Sequence, residues 1–312
     1  MRHAAWAAAA AMGVMVIACG GTPTAPSSVA SDAQLVPGAA LPPGPTVPSP
    51  APVPGLPQIF VGAGDIAMCD ANSEATARLV ESIGGTVFTV GDNAYVRGTR
   101  EEFRNCYEPT WGRFKSRTRP VPGNHDYETA GAAPYYEYFG PSAGPAGLGY
   151  YSFELGSWHA VALNSNIPVN AASAQAAWLR NDLAANPSRC TIAYWHHPLF
   201  SSGPDGPSPR MAEFWRILYA SGAEIVLNGH EHYYERFGPQ DSAARPDSSR
   251  GVREFIVGTG GAVLYDMGSP LANSERQIRG FGVLKLTLAA DNYDWEFIPV
   301  SGPGDRGSGT CH

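Results

Sequence analysis

Thr86-Val87-Phe88-Thr89-Val90-Gly91-Asp92-Asn93-Ala94-Tyr95 is a β-branched and aromatic run that stops at a glycine and passes into a carboxylate, an amide and a phenol. Valine, threonine and phenylalanine favour a strand, and Gly91 marks its end. The same order recurs along the chain. Ile59-Phe60-Val61 runs into Gly62-Ala63-Gly64-Asp65, and Arg119-Pro120-Val121-Pro122 into Gly123-Asn124-His125-Asp126. Thr191 to Trp195 ends at His196-His197-Pro198, and Glu224 to Leu227 ends at Asn228-Gly229-His230-Glu231-His232. Every polar cluster therefore follows a strand. In an open α/β sheet the loops after the strands converge at one edge, where ligands bind.

Helices fall between these strands. Glu74 to Ile83 is expected as a helix opened by Asn72-Ser73 and stopped by Gly84-Gly85. Ser173 to Ala185 and Met211 to Ala220 are two more, the first with Ala177, Leu179 and Leu183 available for packing. Tyr150 to Leu155 and Trp158 to Leu163 suit a hairpin about Gly156-Ser157. Arg253 to Val257, Phe281 to Leu288 and Asn292 to Ile298 complete the strands. Gly258-Thr259-Gly260-Gly261 lacks the lysine of a phosphate loop and the following helix of a dinucleotide site, and reads as a tight turn.

Hydrophobic residues make up 44% of the 312 residues and charged residues 16%, which is enough apolar material for a packed core. The formal net charge of -7 argues against nucleic acid as a partner, since binding a phosphate backbone needs a basic face. The N-terminus resembles an export signal: Arg2, then an uncharged apolar run from Ala4 to Ile17, shorter than a membrane-spanning helix. Val16-Ile17-Ala18-Cys19 is similar to a lipobox, so residues 1–19 are expected to be removed or lipidated at Cys19. The protein would then be an envelope lipoprotein touching membrane only through that lipid, or a secreted protein if Cys19 is not lipidated. Residues 20–57 form a proline-rich tether: Thr22 to Pro57 holds 11 of the 28 prolines and Asp32 as its only charge. Residues 58–312 are left as one catalytic domain.

An exported chain meets an oxidising compartment, where disulfides persist. Besides Cys19 there remain Cys69, Cys106, Cys190 and Cys311, which allow three pairings. Cys69 and Cys106 each follow a candidate metal loop, so Cys69–Cys106 with Cys190–Cys311 is the expected pairing.

Any one of the polar clusters has an ordinary explanation. A Gly-Asp pair is usually a turn, a lone tyrosine usually a packed ring, and the His196-His197 doublet one buried and one exposed histidine. Together they point to two cations. Five of the eight histidines lie in these segments. Asp65 and Asp92 supply hard anionic oxygens, and one carboxylate can bridge cations about 3.5–4 Å apart. The glycine before each aspartate suits a sharp backbone turn. Asn124 offers a carbonyl oxygen, and Tyr95 lies three residues after Asp92, within reach of the same ion. His230 and His232, two apart in an extended segment, start on one face and can serve one ion or two. A metal pair turns bound water into hydroxide at neutral pH and clamps both ends of a displacement at phosphorus.

These segments resemble the signature of the calcineurin-like metallophosphoesterases, over roughly Ile59 to Val300. Within that superfamily they are similar to the purple acid phosphatase branch. The first motif has Ala67 where many relatives place a histidine, and Tyr95 stands in for the missing ligand. Gly229 to Arg236 matches the same branch. The resemblance implies an α/β fold of two packed mixed sheets flanked by helices, a four-layer sandwich with the di-metal site at the C-terminal ends of strands. It implies Fe³⁺ on Asp65, Tyr95 and His232, and Zn²⁺, Mn²⁺ or Fe²⁺ on Asn124, His196 and His230, with Asp92 bridging. Asn124 would also stabilise charge on phosphoryl oxygens. His125 would assist the leaving group; His197 is a second candidate, or else orients a ligand. The expected activity is hydrolysis of a small phosphomonoester by a metal-bound hydroxide. A phosphodiesterase with the same metals is one alternative. A catalytically silent phosphate-binding surface lipoprotein is the other, and filled ligand positions count against it.

Overall fold

The computed structural model describes residues 56–312. The segment expected to be a signal, with Cys19, and nearly all of the expected tether lie outside the described residues. Thirteen strands appear among those described. The first sheet takes β1 (Gln58–Ala63), β2 (Thr86–Val90), β3 (Thr118–Val121), β11 (Gly282–Leu288), β12 (Asn292–Pro299) and β13 (Asp305–Thr310), in the order β13-β12-β11-β1-β2-β3. The second takes β4 (Tyr151–Leu155), β5 (Trp158–Ala162), β6 (Cys190–Tyr194), β7 (Ile225–Asn228), β8 (Tyr234–Phe237), β9 (Arg253–Val257) and β10 (Ser274–Ile278), in the order β10-β8-β9-β7-β6-β5-β4. The helices are α1 (Ala71–Ile83), α2 (Arg100–Glu102), α3 (Asn124–Tyr127), α4 (Ala133–Phe139), α5 (Ala174–Ala185) and α6 (Ala212–Ala220). This is the expected α/β architecture of two mixed sheets flanked by helices.

Both sheets are apolar on the faces they turn to each other. Phe60 and Phe88 from the first sheet meet Phe153 and Tyr194 from the second, with Phe60 4.8 Å from Phe88 and 5.7 Å from Tyr194 between ring centroids. Each such ring, fully buried, contributes roughly 1.5–3 kcal/mol. The outer face of the second sheet is covered by Trp178 and Leu179 of α5 and Phe214, Trp215 and Leu218 of α6. Leu179 is buried as expected, whereas Ala177 and Leu183 are only half-buried. On the first sheet α1 brings Thr76, Ala77 and Val80, small enough for close approach.

β1, β2 and β3 run parallel, as do β5, β6, β7 and β9, so their C-terminal ends lie at one edge. Arg236 of β8 pairs with Asp305 of β13 at 2.7 Å, and Tyr234 donates to the same carboxylate at 2.8 Å, tying the two sheets together. Two disulfides form, Cys69–Cys106 and Cys190–Cys311, in the expected pairing.

Some local expectations fail for physical reasons. The first helix begins at Ala71 rather than Glu74, because Asp70 is its cap and accepts from the Asn72 amide at 2.9 Å. The Gly258 to Gly261 run is not needed for a tight turn, since none of these glycines has a positive φ. They supply room. A Cβ on Gly258 would lie 2.2 Å from the Glu231 carbonyl oxygen and 2.7 Å from Asp65 Oδ2. The end of β9 therefore passes directly against the aspartate loop, and Gly260 and Ala262 donate to the carbonyls of Gly64 and Asp65.

Candidate metal centre

Asp65 follows β1, Asp92 and Tyr95 follow β2, Asn124 follows β3, His196 follows β6, and His230 and His232 follow β7. The turns differ from the expectation in one respect. Strain sits on the candidate ligands themselves: Asp65, Asp92 and His230 have φ of 59°, 52° and 72°. Aspartate tolerates this left-handed region better than most residues. The positive φ of His230 also ends the extended geometry expected from Gly229 to His232, and the two histidines diverge.

Their divergence produces two groups of donor atoms. In the first, Tyr95 Oη lies 2.9 Å from Asp65 Oδ1, 3.0 Å from Asp92 Oδ2 and 3.1 Å from His232 Nε2, and His232 Nε2 lies 3.2 Å from Asp65 Oδ1. In the second, His196 Nε2 lies 2.9 Å from Asn124 Oδ1, 3.3 Å from His230 Nδ1 and 3.3 Å from Asp92 Oδ2. Asp92 Oδ2 belongs to both. Donors that share one ion at about 2.0–2.2 Å stand roughly 2.8–3.6 Å from one another, so each group has the spacing of a coordination shell.

The charges fit cations as well. Asp65 and Asp92 are buried, and no lysine or arginine among the described residues pairs with either. Burial disfavours charge on both Asp92 and His196. Their mutual attraction overrides it, holding the Asp92 carboxyl well below its usual range and lifting His196 to about 9. Burial and the charge of His196 press His230 down to about 4. Burial, then the charges of Asp65 and Asp92, push the Tyr95 phenol far above its ordinary value. The protein alone thus holds Tyr95 as a protonated donor to both carboxylates. Only a strong positive charge at that point would make it a phenolate.

Backbone carbonyls fix which ring nitrogen faces inward. His196 Nδ1 donates to Val90 O at 2.8 Å and His232 Nδ1 to Val263 O at 2.7 Å, so in each ring Nε2 is the nitrogen turned towards the carboxylates. His125 does likewise: Nδ1 donates to Val96 O at 2.6 Å, and Nε2 stands 4.0 Å from Asp92 Oδ2. Its side chain is 29% exposed, unlike the buried His196. His197 is different. It is buried, shares a 2.8 Å hydrogen bond between Nδ1 and Ser165 Oγ, and packs its ring 4.5 Å from that of His230. Burial, then the charges of His196 and His230, hold it neutral.

Several supporting residues escaped the sequence reading. Buried Asp126 accepts from Gly123 N at 2.9 Å and from Asn93 N and Nδ2 at 3.2 and 2.9 Å, stapling the loops after β2 and β3 together. Burial and the charge of Asp92 push its carboxyl up to about 7. Its place three residues after Gly123 was a readable capping signal. Buried Glu231 accepts from Ser201 Oγ at 3.0 Å and Gly206 N at 2.8 Å, fastening the loop after His197. Ser165, Val90, Val96 and Val263 gave no signal, because they act through a hydroxyl or a carbonyl far off in sequence. Gly123 makes room: a Cβ there would fall on Asp92 Oδ1.

Comparison with known proteins agrees with this geometry. The profile of the calcineurin-like phosphoesterases matches residues 59–234. Purple acid phosphatase 15 of Arabidopsis thaliana is 29% identical over 212 residues, covering 55% of this chain and 40% of that protein. Purple acid phosphatase 23 of the same plant is 28% identical, covering 55% of this chain and 46% of that protein. The chain thus spans less than half the length of these relatives. Among solved structures, a purple acid phosphatase from yellow lupin (Lupinus luteus) seeds superposes with a TM-score of 0.69 at 18% identity, covering 82% of this chain and 55% of that one. GAP50, the anchor in the inner membrane complex of Plasmodium, superposes with a TM-score of 0.63 at 14% identity, covering 82% and 89%.

Proposed function

The chain belongs to the calcineurin-like phosphoesterase family, and from that premise we propose that it is a di-metal phosphomonoesterase similar to the purple acid phosphatases. One observation carries the reading. Seven side chains from five strand-end loops place their donor atoms about 3 Å apart in two groups that share Asp92. The fold alone would not suffice, since a similar scaffold serves as an anchor in Plasmodium.

Asp65, Tyr95 and His232 would hold one ion, Asn124, His196 and His230 the other, and Asp92 both. The phenol of Tyr95 supports Fe³⁺ in the first position; the Asn/His set supports Zn²⁺, Mn²⁺ or Fe²⁺ in the second. Two cations there would acidify water and neutralise charge on a phosphoryl group. The protein does the rest. Asp92 keeps the two positions in register, because one carboxylate belongs to both groups. Asn124, half-buried, would offer its amide to the phosphoryl oxygens. His125 has its Nδ1 proton committed to Val96, so Nε2 is the atom that delivers a proton to the leaving oxygen. His197, neutral and tied to Ser165, orients His230 through ring contact.

The two disulfides support export to an oxidising compartment. An N-terminal lipid on Cys19 is the proposed anchor. The activity is tested by reconstituting purified protein with iron plus zinc or manganese and comparing a phosphomonoester with a phosphodiester. Faster turnover of the monoester supports the proposal, and a preference for the diester replaces it with a phosphodiesterase. Phosphate binding without turnover of either ester would leave a silent binding protein.

A further inference from the structure

The connection from β9 to β10 runs along the rim of the centre and wraps His232. Val263 takes the imidazole proton on its carbonyl, and the Tyr265 amide donates to the His232 carbonyl at 3.1 Å. The Tyr265 ring stacks on the His232 ring with centroids 4.0 Å apart and planes 19° apart. Arg279 fastens this segment from behind, donating to the carbonyls of Tyr265 at 3.0 Å and Leu264 at 3.3 Å. The ring is therefore held in one place against a ligand histidine.

The Tyr265 hydroxyl has no hydrogen-bond partner among the described residues. Other tyrosines around the centre are engaged: Tyr95 with Asp65 and Asp92, Tyr233 with Glu235 at 2.8 Å, and Tyr234 with Asp305 at 2.8 Å. Tyr265 is half-buried, so its hydroxyl is not sealed in the core. A phenol with its ordinary pKa of about 10 is protonated at neutral pH, so the hydroxyl is available as a donor.

We propose that the Tyr265 hydroxyl is a substrate contact of this site, donating a hydrogen bond to a phosphoryl oxygen of the bound ester. This rests on the phosphoesterase reading. A fixed donor beside two cations adds directional recognition to their charge. A hydrogen bond to a charged oxygen is worth about tenfold or more in binding.

The test compares Tyr265→Phe, which keeps the stacked ring, with Tyr265→Leu, which removes both ring and hydroxyl. Inorganic phosphate is titrated calorimetrically into each metal-loaded protein, and KM and kcat are measured on one phosphomonoester. Metal content and unfolding temperature serve as controls. Tyr265→Phe is expected to weaken phosphate binding and kcat/KM about tenfold, with metal content and unfolding temperature unchanged. Tyr265→Leu loses at least as much. Wild-type phosphate affinity in Tyr265→Phe overturns the proposal, even if Tyr265→Leu is impaired, and leaves the residue a stacking role alone. Loss of metal in Tyr265→Phe also overturns it. A wild type that binds no phosphate and cleaves no ester overturns the phosphoesterase reading itself, and this contact with it.

Discussion

His159 lies on β5, 1% exposed, with Nδ1 2.8 Å from Glu154 Oε1 and Nε2 2.8 Å from Asp182 Oδ2; Ser152 Oγ donates to the other Asp182 oxygen at 2.7 Å. None of these groups touches the metal loops, so His159→Ala separates stability from chemistry. The substitution leaves buried Asp182 short of its counter-charge, while Glu154, 53% exposed, rehydrates. Breaking a buried pair costs about 3–5 kcal/mol, and rehydration of Glu154 places this case near the lower figure. For a domain of this size that is a fall of roughly 6–12 °C in unfolding temperature. The loss depends on pH. Burial disfavours the charged imidazole, but its hydrogen bonds to Asp182 and Glu154 override this and raise its pKa to about 9. A histidine with a raised folded pKa stabilises fully below its ordinary value of about 6.5, and that contribution drains away as pH rises through 9. Calorimetric unfolding of metal-loaded wild type and variant between pH 6 and 10 should show a gap that is widest at pH 6 and narrows towards pH 10. The kcat on a phosphomonoester should be unchanged. A variant within about 1 °C of wild type at pH 6, or a gap constant across the range, would refute the ion-pair reasoning.

Tyr95→Phe, in protein reconstituted with iron under oxidising conditions, should abolish a visible charge-transfer band and weaken the first metal position while keeping the buried ring; an unchanged band would remove Tyr95 from the ferric ligands. The Cys190–Cys311 bond closes 121 residues and Cys69–Cys106 closes 37. Loop entropy assigns them about 5 and about 4 kcal/mol, so serine pairs at either should lower the denaturant midpoint, and an unaltered midpoint in both would contradict this. Cys19→Ser should release the protein from the membrane fraction, whereas a lipid-free mature N-terminus beyond Cys19 would show that no such anchor exists.

Much of the fold was legible because strand ends announce themselves. A β-branched run stopping at glycine before an aspartate or asparagine reads the same in isolation as in the folded sheet, which is why β1, β2, β3, β6 and β7 were locatable. β13, Asp-Arg-Gly-Ser-Gly-Thr, was not: it holds no apolar residue and becomes a strand only by pairing with β12. β8 and β10 likewise carry mixed charge, and their pairing is non-local. At the site, residues whose side chains carry the chemistry could be collected by type. Their supports could not. Val96 and Val263 act through carbonyls, and Tyr265 through a ring that meets His232 only after the chain returns past β9. The split between His230 and His232 was left open by the local pattern and implied only by the resemblance, because the positive φ of His230 breaks the extended geometry that would put both on one face.

The central claim is that one carboxylate, Asp92, organises two cations. Metal analysis of purified wild type and Asp92→Asn, equilibrated with the same metals and paired with phosphomonoester turnover, tests it most directly. Two ions per chain in the wild type, with metal and turnover largely lost in the variant, is the predicted result. An Asp92→Asn protein that keeps two ions and wild-type turnover would contradict the account.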